Sequence, residues 1–78
     1  MKAIISVEIE LDDKYVEEWN EDFKNYHARL YKSEEKGIQA LKENPIENAI
    51  ATEIEDYLDN SVAGVLRSEA KVISTNDD

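Results

Sequence analysis

The residues with the numbers and spacing to do chemistry are carboxylates. Eight lie between Glu8 and Asp22 (Glu8, Glu10, Asp12, Asp13, Glu17, Glu18, Glu21, Asp22), with one base, Lys14, among them. Five more lie between Glu47 and Asp59 (Glu47, Glu53, Glu55, Asp56, Asp59) with no base. The stretch 23–46 carries five bases against three acids, so the net charge of −10 is concentrated in two blocks. Like charges crowded on a small protein repel in the compact state and add little stability. Such a layout suits a partner that wants negative charge. It also suits a plain solubilising surface, as on many acidic proteins.

Catalytic groupings find little support. His27 is the one histidine and cysteine is absent. A Ser-His-Asp arrangement would need Ser6, Ser33, Ser61, Ser68 or Ser74 beside His27, and none sits in a nucleophile-elbow pattern. With nineteen acids, a carboxylate pair at glycosidase spacing would arise by chance and mean little. Asp56, Asp59 and Asn60 superficially resemble calcium ligands, but the twelve-residue loop spacing and its glycine are missing. Gly37 and Gly64 are the only glycines, which leaves no phosphate-cradling loop. Tyr15, Trp19, Phe23, Tyr26 and Tyr31 could stack on bases, yet no basic groove accompanies them, and packing is the simpler use. The expectation is a protein that is not an enzyme, with no catalytic residue, metal site or cofactor.

The bulk properties agree. Seventy-eight residues make one small domain, expected to be ordered over about 2–74 with a frayed tail at 75–78. The absence of cysteine fits a reducing cytoplasm. No run is apolar enough to span a bilayer, and Met1 opens no signal-peptide pattern. A pI near 4.4 argues against direct contact with nucleic acid or anionic lipid.

The elements that would position the acids follow from periodicity. Ala3, Ile5, Val7, Ile9 and Leu11 alternate with Lys2, Ile4, Ser6, Glu8 and Glu10, which predicts a strand over 2–11. Glu8 and Glu10 would then face solvent about 7 Å apart. Asp12 or Asp13 can cap a helix over about 13–32. Its apolar stripe reads Tyr15, Trp19, Phe23, Tyr26, Leu30. Beside it, Asp13, Glu17 and Glu21 form one acidic ridge and Glu18 with Asp22 a second, at steps of about 6 Å. Ser33 can restart a helix, or the first helix can run on to Lys42; Gly37 favours a break near 33–37. Asn44-Pro45 closes that segment, and Ile46, Ile50, Ile54 and Leu58 predict another helix over about 46–59. Val62, Leu66, Ala70 and Val72 on even positions suggest a closing strand within 63–74. The expected fold class is α+β: strand-helix-helix-strand, a small antiparallel sheet packed on amphipathic helices. Two strands alone are marginal and leave edges open, so a homodimer is expected, through a shared sheet or through the aromatic-rich helices.

In size, acidity and the Glu8–Asp22 and Glu47–Asp59 clusters, the chain resembles the small phage-encoded DNA-mimic proteins. The likeness is one of charge layout, without a shared motif. It implies an inhibitor of a basic host DNA-binding protein, acting in the host cytoplasm. An HU-like nucleoid protein is the preferred target, with a defence nuclease or CRISPR effector as others. The implied contact residues are Glu8, Glu10, Asp13, Glu17, Glu21 and Asp22 on one surface and Glu53, Glu55, Asp56 and Asp59 on a second. Whether the two share a face is open. An antitoxin or immunity protein that neutralises a basic toxin would follow the same charge logic. The basic stretch Lys24 to Lys42 departs from a uniformly acidic mimic.

Overall fold

In the computed structural model, which describes residues 1–76, the first helix starts where Asp12 caps the chain. Its Oδ1 accepts from the Lys14 and Tyr15 N–H groups at 2.8 and 3.2 Å, satisfying two of the orphan donors of the first turn. Helix α1 spans Asp13–Tyr31 and ends at Lys32, which adopts the left-handed conformation with φ 54°. The Ser33 N–H then bonds the Ala28 carbonyl at 2.9 Å, closing the turn. Ser33 itself caps helix α2 (Glu34–Glu43), accepting from the Lys36 N–H at 3.3 Å. The two helices are therefore separate, and the break lies at Lys32–Ser33. Helix α3 (Ile46–Ser61) follows directly after Pro45, whose carbonyl takes the Asn48 and Ala49 N–H groups.

Gly37 is buried in the middle of α2, against α1. A Cβ there would lie 2.5 Å from the Lys24 carbonyl oxygen and 2.9 Å from the Ala28 Cβ. This close approach turns α1 about its axis. The face it half-buries holds Val16, Trp19, Phe23, Lys24, His27 and Ala28, while Tyr15, Tyr26 and Leu30 stay more than half exposed. The expected stripe is thus displaced by roughly a quarter turn. Small residues set the contact because they admit the neighbouring backbone, yet they carry little hydropathy signal.

The expected α+β fold is overturned: the described residues form three helices and no strand. Residues 1–10 are exposed throughout and have no regular structure. Alternation with period two prepares a strand, but only a partner backbone completes one. The intended partner is engaged elsewhere. After α3 the chain reverses at Val62–Val65, where Gly64 takes φ 87° and the Val65 N–H bonds the Val62 carbonyl at 3.3 Å. The returning segment is tied to α3 by side chains: Ser68 Oγ donates to Asp59 Oδ1 at 2.8 Å, and the Ala70 N–H donates to Glu55 Oε2 at 3.2 Å. The strand expected within 63–74 is therefore an irregular strap. The frayed tail expected over 75–78 includes 77 and 78, which lie outside the described residues.

Burial is sparse. Ile46, at 5% exposure, is the one buried apolar side chain among the described residues, and none is fully withdrawn from solvent. The radius of gyration is 15.3 Å, against about 11.5 Å for a globular chain of this length. Among the described residues no helix is long and apolar enough to cross a membrane.

Candidate acidic interface

Helix α1 carries its acids in its N-terminal half. Asp13, Glu17, Glu18, Glu21 and Asp22 are all exposed. Asp13, Glu17 and Glu21 step by four along one ridge, and Glu18 and Asp22 along the next, so neighbours are about 6 Å apart along the axis. Only Glu21 has an ion-pair partner, Lys24 Nζ at 2.9 Å. Both groups remain partly in water, so that pair adds little stability. Asp12, by contrast, is committed to its capping bonds.

The helix that holds these acids is stiffened on its other side. Trp19 stacks on Phe23 with centroids 4.9 Å apart, Phe23 meets His27 at 4.3 Å with the rings tilted by 32°, and His27 stacks on Tyr31 at 6.4 Å. Each step is i to i+4, the spacing at which helical side chains meet. His27 Nδ1 lies 3.0 Å from the Phe23 carbonyl. A carbonyl only accepts, so Nδ1 carries the proton and the ring is fastened to its own helix. A groove of about 380 Å³ separates this aromatic ladder from the start of α3, lined by Trp19, Phe23 and His27 on one side and Asn44, Pro45 and Asn48 on the other.

Charge energetics along α1 separate two effects. Acids in the first turn meet the positive helix end and are favourable there, as Asp13 is. Beyond that turn the dipole no longer helps. The pairs Asp13–Glu17, Glu17–Glu21 and Glu18–Asp22 each set like charges at i, i+4, at a cost of roughly 0.2–0.5 kcal/mol apiece. Helix stability alone does not ask for the second half of this row.

The other expected contact residues fall into three groups. Glu8 and Glu10 are exposed, but on the extended N-terminal segment rather than on a strand. That segment lacks the sheet that would have held them rigid. Glu53 and Asp56 are exposed and share a ridge of α3 at i, i+3. Glu55 and Asp59 occupy a different ridge and hold the C-terminal strap through Ala70 and Ser68. Glu55 is half-buried in consequence. The second acidic block is therefore divided between a free ridge and a latch. The latch was illegible beforehand: Ser68 registers in a sequence only as a possible nucleophile, and nothing local to it points nine residues back to Asp59.

Three bases, Arg29, Lys32 and Lys36, lie at the turn end of the α1–α2 hairpin. Arg29, Lys32 and Glu34 surround a shallow depression with Asp22, Asn25 and Tyr26. Lys36 Nζ sits 5.4 Å from the Tyr31 ring centroid. Charge thus runs from negative to mixed along α1. Among the described residues no three His, Asp or Glu side chains converge as metal ligands would.

Comparison with protein-family models, with curated proteins and with solved structures finds no match.

Proposed function

We propose that the chain is a non-enzymatic inhibitor whose acidic α1 occupies the DNA-binding surface of a basic protein. The observation that carries this reading is the exposed double row on α1: carboxylates at about 6 Å steps, on a helix braced by an aromatic ladder, extending past the turn where the helix dipole rewards them. A DNA-binding protein presents Lys and Arg at the spacing of phosphates, and a fixed row of carboxylates is complementary to it. Such a mechanism uses no catalytic group or cofactor. Asp13, Glu17, Glu18, Glu21 and Asp22 form the primary contact, and Glu53 and Asp56 a secondary one. The preferred target is an HU-like nucleoid protein in the cytoplasm of a bacterial host, and a phage origin fits that role.

The test is competition. Labelled duplex DNA bound to HU is titrated with this protein at low and at high salt. Displacement at low salt that weakens at high salt is expected, because the contact is electrostatic. No displacement at low salt eliminates HU as the target. Displacement indifferent to salt eliminates the charge mechanism.

A further inference from the structure

The N-terminal segment is apolar, alternating and without a partner. Ile4, Ile5, Val7 and Ile9 are between 49% and 103% exposed. The strand expected to partner it, within 63–74, is instead an irregular strap tied to α3 at Ser68 and Ala70. The whole chain exposes 7270 Å². A folded monomer of 9.0 kDa would expose about 4,900 Å². The surplus of roughly 2,400 Å² is spread over the chain and exceeds the about 800 Å² that each partner contributes to a standard interface; Met1, Ile4, Ile5, Val7 and Ile9 are the N-terminal segment's share of the exposed apolar residues.

Charge selects the occupant. Residues 1–7 contain no acid and one base, Lys2, in a chain of net charge −10. Two copies therefore meet through these segments without bringing their acidic blocks together. Parallel pairing would set Glu8 against Glu8 and Lys2 against Lys2, which is unfavourable. Antiparallel pairing about a two-fold at Ser6 sets Lys2 against Glu10 twice, once at each end. The same register sets Ile5 opposite Val7 and Ala3 opposite Ile9, and keeps the apolar odd positions on one face.

We propose that residues 1–11 of two copies of this chain pair antiparallel, with Lys2 of each copy opposite Glu10 of the other. Each chain remains three-helical and the pairing lies between chains. It is independent of the inhibitor function, and it would partly neutralise Glu10 as a contact for any third protein.

Sedimentation equilibrium of the purified full chain tests this with no other protein present. The expected mass is twice 9.0 kDa. Lys2→Glu or Glu10→Lys weakens association by about tenfold, since each turns two cross-strand attractions into repulsions. The double variant K2E/E10K restores it. Pro at Ser6 or at Val7 removes an N–H; one of these two positions points its backbone at the partner, so at least one of the variants is monomeric. Helicity at 222 nm stays unchanged in all of them, because residues 1–11 precede α1. A wild-type monomer overturns the proposal, including the case in which the segment instead serves a strand of another protein. A dimer indifferent to both prolines, or a double variant weaker than either single one, overturns it as well.

Discussion

Gly37→Ala inverts the ordinary expectation for a glycine inside a helix. In an unpacked helix the change would stabilise by about 1 kcal/mol, because alanine restricts the unfolded chain and suits the helical backbone. Here the new methyl would lie 2.5 Å from the Lys24 carbonyl oxygen and 2.9 Å from the Ala28 Cβ. The first obstacle is backbone and cannot rotate aside. Restoring ordinary contact moves α2 away from α1 by nearly 1 Å, and overpacking of this kind costs about 1–3 kcal/mol. The immovable neighbour places the cost near the upper end, so the net effect is a loss of about 2 kcal/mol. Urea unfolding followed by circular dichroism at 222 nm measures it: the midpoint falls. Gly64→Ala is the contrast, since Gly64 has open space around it and only its φ of 87° opposes the change. A G37A protein as stable as the parent, or more so, refutes the claim that α1 and α2 meet through Gly37.

Three further outcomes are expected. Lys32→Gly raises the urea midpoint, gaining about 1 kcal/mol, because lysine holds a left-handed cap at φ 54° that glycine adopts without strain. Replacing Glu17 and Glu18 together by Gln removes all three like-charge pairs on α1; thermal unfolding should show a gain of roughly 0.5–1.5 kcal/mol, while competition against HU-bound DNA weakens. Ser68→Ala frees the C-terminal strap at a cost of about 1 kcal/mol, read as faster amide exchange at Ala70 with exchange in α1 unchanged.

The helices were legible because their signals are local. Asp12, Ser33 and Pro45 each mark a start that depends only on the next few residues, and the four-residue steps of Ile46 to Leu58 need no partner to be recognised. The acidic ridges of α1 follow from the same periodicity. What was not legible depends on distant contacts. The face that α1 buries is set by Ala28 meeting Gly37, two residues with almost no side chain. The strands failed for a related reason: alternation at 2–11 describes a segment suited to pairing, whereas pairing needs a second backbone, and the strap at 65–70 is held by Glu55 and Asp59 instead. That latch half-buries Glu55, one of the ten expected contact residues, and gives Asp59, which stays exposed, a partner in Ser68.

The salt dependence of binding to a basic DNA-binding protein tests the acidic row most directly. Affinity for HU is measured at several salt concentrations for the parent chain and for a variant with Glu17, Glu21 and Asp22 changed to Lys. Parent affinity that falls steeply with salt, together with binding abolished in the variant, is the expected result. Equal affinity of the two proteins at low salt would contradict it.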